Sequence, residues 1–262
     1  MKNILLRSVS GIIYVAIIVA CILINHWTFL ALCFLMTIIG LAEYYSLELH
    51  SGTQRRNLLT AAMDIVGGCI LVGSFWMLFN LDIFHGFAAY LIYLVARQII
   101  QLYIKNSNPV SSLSESFMGQ MYISLPISTM MYIYSLSPHL VLAMFIFIWL
   151  NDTGAFIVGS SIGRHRLFPR ISPKKSWEGF WGGIVFCVAA AFVMKSFWPE
   201  FFAYLNIGKM VGFSALVAIF ATWGDLVESM FKRSLHVKDS GKIIPGHGGP
   251  VSYTHLTLPT IL

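Results

Sequence analysis

The sequence predicts an all-α, polytopic integral membrane protein, and three observations support that fold class. Hydrophobic residues make up 57% of the 262-residue chain and charged residues only 11%, whereas soluble domains carry about 25% charged residues. The mean hydropathy is +0.76, and a single soluble core could not bury that much apolar surface. The apolar runs are continuous rather than alternating, so they favour membrane helices over a β-barrel. This composition excludes a soluble enzyme, a disordered chain and a disulfide-rich secreted domain.

Eight apolar segments approach the length of about 20 residues that a spanning helix needs. They run near 9–25, 27–47, 59–80, 86–104, 118–136, 139–160, 178–195 and 209–228. Their connections are short, so consecutive helices are expected to be antiparallel. No small-residue cleavage site follows the first segment, which we therefore expect to be retained rather than removed as a signal peptide. Three glycine pairs have the small-xxx-small spacing of close helix packing: Gly159/Gly163, Gly179/Gly183 and Gly208/Gly212.

The distribution of Lys and Arg predicts a cytoplasmic N-terminus. With that orientation, most Lys and Arg residues fall on cytoplasmic segments, whereas the outer ends of the spans hold only Lys195 and Lys209. Short cytoplasmic loops of membrane proteins carry such an excess of positive charge. The bias therefore predicts an even number of spans. We also expect a multi-pass protein of the cell's inner (plasma) membrane.

Acidic residues near the predicted cytoplasmic ends of spans are the first candidates for a site. Asp152 lies late in the sixth span, and Asp225 and Glu228 end the eighth. Charged groups inside a bilayer are costly, so they are by default interpreted as functional. Glu43 and Asp64 also lie near cytoplasmic span ends, and the sequence leaves open whether they belong to a site or only to the membrane interface.

The end of the eighth span carries several polar groups on one helical face. Asp225, Glu228, Ser229 and Lys232 follow the spacing i, i+3, i+4 and i+7. Two carboxylates, a hydroxyl and an ammonium suit a metal–phosphate site, because Mg²⁺ prefers oxygen ligands and usually binds one or two carboxylates plus substrate phosphates. The alternative is a face of salt bridges at a helix end.

The first large cytoplasmic loop, residues 161–177, mixes cations with proline and serine. Ser172 or Ser176 could cap the helix of the seventh span and leave backbone N–H groups free for a ligand. Lys174 and Lys175 flank that helix start, and a helix N-terminus beside two cations favours anions. The alternative is a loop whose positive charge only fixes the orientation of the chain.

The second large cytoplasmic loop, residues 229–249, gathers cations and glycines. Lys232, Arg233 and Lys238 are candidates to neutralise a triphosphate. The run P-G-H-G-G at 245–249 would let the backbone approach a ligand closely, and its histidine could donate to a phosphate or shuttle a proton. The chain has neither a G-x-x-x-x-G-K-[ST] nor a G-x-G-x-x-G motif, so P-loop and Rossmann nucleotide binding are not supported.

Three motifs in this part of the chain resemble those of one family. They are S-x-x-K-R-x(4)-K-D-x-G-x(2)-I-P-G-H-G-G at 229–249, N-D-T-G-A-F to S-P-K-K-S-W-E-G at 151–179, and G-D-L-x-E-S at 224–229. Together they resemble the phosphatidate cytidylyltransferases, or CDP-diacylglycerol synthases. The resemblance extends over about residues 1–249 and is most specific over 151–249.

The resemblance implies a reaction in which CTP and phosphatidate give CDP-diacylglycerol and pyrophosphate. It implies a Mg²⁺ ion held by Asp225, with a second metal ion as a further expectation. Asp152, Lys232 and Asp239 are the other catalytic candidates that it suggests. The residues expected to bind substrate are Lys174, Lys175, Ser176, Ser229, Arg233, Lys238, His247, Gly248 and Gly249.

The resemblance also suggests an organisation into regions and a set of partners. Residues 1–136 would form N-terminal transmembrane helices, and residues 137–249 a catalytic transmembrane region whose active site faces the cytoplasm. We expect CTP, phosphatidate and membrane lipids as partners, no nucleic acid, and a homodimer. A transporter or ion-coupled channel is the alternative, because intramembrane acids also suit ion pathways. Transporter sites lie near the bilayer midplane, however, and these acids are predicted at its cytoplasmic edge.

The end of the chain departs from the family pattern. In the family, H-G-G is followed by two residues, then D-R-x-D and a final span. Ser252, Tyr253 and His255 stand where the two acids and the arginine are expected. Residues 250–262 therefore predict a foreign-looking tail on a C-terminally truncated family member whose final helix is missing. We expect the chain as written to be inactive or nearly so.

Overall fold

The computed structural model describes residues 2–50, 58–105, 108–203 and 205–234. The second predicted loop from residue 235 onward and the tail at 250–262 lie outside these residues.

The described chain is helical with one small exception. Its helices are α1 (Lys2–Ile24), α2 (His26–His50), α3 (Leu58–Leu81), α4 (Gly86–Tyr103), α5 (Pro109–Gly119), α6 (Leu125–Leu136), α7 (Pro138–Ile162), α8 (Trp177–Phe197) and α9 (Ile207–Ser234). A π-helical turn (Gln120–Ser124) joins α5 to α6, and a 3-10 turn (Pro199–Phe202) follows α8. The exception is a hairpin of two antiparallel strands, β1 (Arg166–Phe168) and β2 (Ser172–Ser176), between α7 and α8.

Every predicted span falls on a helix. Within the described residues, five helices are long and apolar enough to cross a membrane: His26–Ser46, Leu58–Leu81, Pro138–Ile162, Trp177–Phe197 and Ile207–Ser234. The predicted fold class, an all-α polytopic membrane protein, is therefore confirmed. The total of eight spans and the cytoplasmic N-terminus stay predictions.

The fifth predicted segment begins earlier than its hydropathy indicated. The sequence places its start near residue 118, whereas the helix begins at Pro109 and continues through the π-helical turn into α6. Asn108 caps it by accepting a hydrogen bond from the N–H of Ser111 at 3.1 Å, and proline is well suited to the first helical position. The first turns are rich in serine, so an apolar window misses them.

Residues 2–136 form one compact unit in which α3 contacts α2, α4, α5 and α6. A buried ion pair lies inside this unit, where Arg97 Nε on α4 donates to Asp64 Oδ1 on α3 at 3.0 Å. The hydroxyls of Tyr93 and Ser116 also donate to the Asp64 carboxylate, at 2.8 and 2.6 Å. Gln101 Oε1 accepts from Arg97 Nη1 at 2.8 Å. Asp64 is therefore neither exposed at an interface nor free for a ligand, since it neutralises a buried guanidinium.

Residues 137–234 form a second compact unit in which α7, α8 and α9 all contact one another. The crossing of α7 and α8 depends on two of the predicted glycine pairs. A Cβ on Gly179 would lie 2.8 Å from the carbonyl oxygen of Ala155 and 3.2 Å from the Cα of Gly159. The third pair does not act in this way, because a Cβ on Gly212 would have nothing within 4 Å.

The β1–β2 hairpin replaces part of the predicted loop at 161–177. Its strands pair with Arg166 opposite Ser176 and Phe168 opposite Ser172. Leu167 turns inward and packs with Phe180 of α8 and Leu226 of α9. This apolar anchor fixes a cationic segment against the ends of two helices.

Candidate active site

A cavity of about 540 Å³ lies in the second unit, between α7, the hairpin, α8 and α9. Its lining includes five of the residues that the sequence predicted to bind substrate or metal or to act in catalysis. These are Asp152, Lys174, Lys175, Ser176 and Asp225. The two predicted acids therefore line one space together with the cations of the first loop, although they are 73 positions apart in the chain.

The cavity exists because small residues let α7 and α8 come close where α8 begins. Gly159, Gly163 and Gly179 are among its lining residues. Bulkier side chains at these positions would fill the space or push the helices apart. The predicted packing glycines thus also shape the candidate site.

Ser176 is the residue that caps α8. Its Oγ accepts a hydrogen bond from the N–H of Gly179 at 3.2 Å, and its own backbone is extended. Of the two serines that the sequence could not separate, Ser172 lies on β2 and does not cap α8. The start of α8 therefore lies at the cavity. The expectation of free N–H groups there is wrong for two residues, because the N–H of Gly179 donates to Ser176 Oγ and that of Trp177 donates to the carbonyl of His165.

The base of the hairpin is fixed to α8 by Glu178. Both carboxylate oxygens accept from the backbone N–H of His165 at 3.2 Å, and Oε1 lies 2.7 Å from His165 Nδ1. The N–H of Trp177 donates to the carbonyl of His165 at 2.9 Å. These contacts hold the strand that carries Lys174 and Lys175 at one edge of the cavity.

Lys175 and Asp225 form an ion pair inside the cavity. Lys175 Nζ contacts Asp225 Oδ2 and donates to the backbone carbonyl of Thr222 at 3.4 Å. The two side chains are 26% and 37% exposed. Both charges are therefore within reach of a solute, in contrast to the Asp64–Arg97 pair.

Sequence reasoning did not assign four polar residues of the cavity to a site: Asn151, Ser160, Arg166 and Thr222. Asn151 Nδ2 donates to Thr222 Oγ1 at 3.2 Å, which ties α7 to α9. The signals were weak but present, since Asn151 precedes Asp152 and Thr222 lies one turn before Asp225. Arg166 is one of the cations that the sequence used only to predict the orientation of the chain, yet on β1 it lines the cavity.

Other predicted residues on α9 lie beyond the cavity lining. Lys232 Nζ pairs with Glu228 Oε1 at 2.5 Å across one helical turn. Ser229 is half-buried and Arg233 is exposed near the end of α9. The predicted polar face of α9 thus contains an intrahelical salt bridge. For Glu228 and Lys232, the structure agrees with the alternative prediction, a face of salt bridges at a helix end.

The remaining predicted residues lie outside the described part of the chain: Lys238, Asp239, His247, Gly248 and Gly249. Their roles stay predictions.

The oxygen donors of the cavity fit a hard divalent cation. Asp152 and Asp225 both line it, and Mg²⁺ typically takes one or two carboxylates and completes its shell with water and phosphate. Asn151 Oδ1 is a buried oxygen with no hydrogen-bond partner in the described structure. The described residues contain no group of three or more His, Cys, Asp or Glu side chains arranged to hold a metal. They would therefore supply only part of a coordination shell.

Comparison with known proteins identifies relatives of this chain. The phosphatidate cytidylyltransferase of Staphylococcus haemolyticus (strain JCSC1435) is 48% identical over 111 residues, which is 42% of this chain and 42% of that protein. The corresponding protein of Staphylococcus epidermidis (strain ATCC 35984) is 46% identical over 109 residues, which is 42% of this chain and 41% of that protein. That of Staphylococcus aureus (strain COL) is 44% identical over 111 residues, which is 42% of each chain. The chain thus spans about two fifths of the length of the curated relatives that it matches.

A family-level match extends much further along the chain. The sequence model of the Cytidylyltransferase family matches residues 5–251, which include both structural units and the whole cavity. The protein therefore belongs to the Cytidylyltransferase family.

Proposed function

We propose that this protein transfers a cytidylyl group from CTP to phosphatidate, giving CDP-diacylglycerol and pyrophosphate for phospholipid synthesis. The observation that carries the proposal is the meeting of Asp152 and Asp225 with Lys174 and Lys175 around one cavity. Family membership and relatives named phosphatidate cytidylyltransferase support the same activity.

Cytidylyl transfer depends on aligning the two substrates and neutralising their charge more than on covalent catalysis by the protein. A phosphate oxygen of the lipid attacks the α-phosphorus of CTP, the bond from that phosphorus to the bridging oxygen breaks, and pyrophosphate leaves. Negative charge builds on the transferring and leaving groups, so fixed cations at those positions lower the barrier. Lys174 and Arg166 line the cavity as such cations.

The start of α8 adds the positive end of a helix dipole to these charges. It lies at the rim of the cavity, where the dipole favours anions. We assign the polyphosphate to this end of the cavity. Ser176 acts there as a positioning residue, because its hydroxyl is engaged with Gly179.

Asp225 and Asp152 would hold Mg²⁺, which supplies Lewis-acid stabilisation of phosphate oxygens when bound. A second metal ion would need further ligands, and we assign Asp239 to that role. Lys232 is proposed as a further catalytic residue. The residues proposed to complete substrate binding are Ser229, Arg233, Lys238, His247, Gly248 and Gly249. A catalytic region at 137–249, a cytoplasm-facing site in the inner membrane and a homodimer are parts of the same proposal.

The test is transfer of label from radioactive CTP to phosphatidate by the purified protein in mixed micelles. We expect little or no labelled lipid from the chain as written, because Ser252, Tyr253 and His255 replace the acids and the arginine that the resemblance implies. The triple substitution Ser252→Asp, Tyr253→Arg, His255→Asp should raise incorporation.

One outcome contradicts the proposed activity, and another contradicts only the expected effect of the missing acids. Absence of labelled lipid from both the original and the substituted chain would count against the activity. Robust incorporation by the original chain would contradict the role given to the missing acids. The transporter alternative has no support from the family or from its relatives; CTP-independent cation flux through proteoliposomes would favour it.

A further inference from the structure

Lys175 occupies the position in the cavity that an external cation would take. Its ammonium contacts Asp225 Oδ2 and the carbonyl oxygen of Thr222, both on α9. A carboxylate and a backbone carbonyl one turn apart are the hard oxygen donors that divalent cations prefer. In the described structure these donors are therefore satisfied by a side chain of the protein itself.

Two further polar residues, Thr222 and Asn151, lie near the Lys175 ammonium. Thr222 is held in place, since its Oγ1 accepts from Asn151 Nδ2 at 3.2 Å and donates to the carbonyl of Ala218 at 3.0 Å. Asn151 is 1% exposed, and its Oδ1 lacks a hydrogen-bond partner among the described residues. A buried acceptor without a partner is a place for a water or a ligand group.

The ion pair between Lys175 and Asp225 can be broken at a small cost in free energy. Lys175 and Asp225 keep 26% and 37% of their side-chain surface exposed. A partly exposed pair has water available to both charges when it opens, unlike a buried pair, whose separation leaves an uncompensated charge. Lys174 on the same strand and Arg166 on the paired strand β1 line the same cavity.

We propose that a divalent cation binds at Asp225 and Thr222 by displacing the ammonium of Lys175, and that the released ammonium then binds a phosphate group of the nucleotide. The inference rests on the proposed function and adds to it a coupling between the two ligands. Metal binding frees a third cation beside Lys174 and Arg166, and the excess positive charge favours a polyphosphate. By reciprocity, bound polyphosphate draws Lys175 away from Asp225 and strengthens metal binding.

The first experiment measures Mn²⁺ binding without nucleotide, by electron paramagnetic resonance, on the full chain in phosphatidylcholine nanodiscs. Lys175→Met should bind Mn²⁺ about fivefold more tightly than wild type, because no ion pair has to be broken. Lys174→Met is the matched control, since it removes the same charge from the same cavity without removing the contact with Asp225. Its Mn²⁺ affinity should rise by less than that of Lys175→Met. Lys175→Arg keeps the competing cation and should stay close to wild type.

The second experiment measures CTP affinity with and without Mg²⁺. The ratio of the two affinities is compared between variants, so that the binding of Mg²⁺ to free CTP cancels. Lys175→Met should reduce this ratio, whereas Lys174→Met should weaken CTP in both conditions and leave the ratio close to that of wild type.

The outcomes separate this inference from the proposed function. Equal Mn²⁺ affinity of Lys175→Met and Lys174→Met, or weaker binding by Lys175→Met, would overturn the exchange while loss of Mn²⁺ binding in Asp225→Asn would still support the metal site. Unchanged Mn²⁺ binding in Asp225→Asn would remove the metal from this position, and the proposed active site would fail with it.

Discussion

The two units each contain an aspartate paired with a cation, and the two pairs differ in every property that matters for function. Asp64 and Arg97 are 0% and 3% exposed, and hydroxyl and amide groups surround them. Asp225 and Lys175 are partly exposed and line a cavity with two further cations. The comparison indicates that, in this protein, a charged residue marks a candidate ligand site where its side chain stays accessible to solvent.

The physical difference lies in what happens when each pair is broken. A buried pair that loses one partner leaves a charge without water, so it is retained as part of the packed structure. A half-exposed pair exchanges its partner for solvent or for another ion at little cost. The pair of Asp64 and Arg97 is therefore expected to stabilise the fold, and the pair of Asp225 and Lys175 to take part in ligand binding. The following predictions test that difference.

The largest effect is expected from Asp64→Asn, which leaves the buried guanidinium of Arg97 without a carboxylate. We expect the free energy of unfolding to fall by about 3–5 kcal/mol. Titration of the protein in mixed micelles with a denaturing detergent measures it. Asp152→Asn is the control, because its carboxylate is exposed, and its cost should stay below about 0.5 kcal/mol. Equal costs for the two variants would contradict the structural role of Asp64.

Asp225→Asn should show the opposite pattern. In the chain with the family-like residues restored at 252, 253 and 255, we expect transfer of label from CTP to lipid to fall by about 100-fold or more, a loss typical of a preorganised electrostatic group. The free energy of unfolding should change by less than about 1 kcal/mol, because the pair with Lys175 is partly exposed. Retained turnover would remove Asp225 from the site.

Gly179→Ala tests whether close packing of α7 and α8 shapes the cavity. The added methyl would meet the carbonyl of Ala155 at 2.8 Å and the Cα of Gly159 at 3.2 Å, and backbone atoms cannot swing away. We expect a loss of about 1–3 kcal/mol of unfolding free energy from overpacking.

Gly212→Ala is the matched control for that variant. It lies in a helix with no atom within 4 Å of the added carbon, and alanine is the better helix former by about 1 kcal/mol. The variant should therefore be as stable as wild type or more stable. A destabilised Gly212→Ala, or an unaffected Gly179→Ala, would contradict the packing described for α7 and α8.

The smallest effect is expected from Ser176→Ala, which removes the cap of α8. The loss should be about 1 kcal/mol, together with faster hydrogen exchange at the amide of Gly179. Ser172→Ala, on the same strand, should change the unfolding free energy by less than about 0.5 kcal/mol. If the two serine variants behave alike, the cap does not act as described.

Much of the second unit was predictable from the sequence because its chemistry is local. Asp152, Asp225 and the Lys174–Ser176 segment each belong to a motif, and helical spacing brings such residues to one end of their helices. The hairpin was not predicted, since its strands, Arg-Leu-Phe and Ser-Pro-Lys-Lys-Ser, are too short to show the alternation of apolar and polar residues that marks a strand.

The first unit was less predictable because its decisive contact is non-local. Asp64 and Arg97 are 33 positions apart on different helices, and hydropathy alone gives no sign that they pair. Asn151 and Thr222 were missed for the same reason, because their contact joins α7 to α9 across 71 positions. Only the packing of the helices makes these residues neighbours.

The most direct test of the central claim, that the open cavity of the second unit binds the nucleotide, is equilibrium dialysis of labelled CTP with Mg²⁺ against the full chain. We expect the double variant Lys174→Met, Lys175→Met to bind CTP about tenfold more weakly than wild type or worse, since two charge-assisted contacts are lost. CTP affinity equal to that of wild type would contradict the claim.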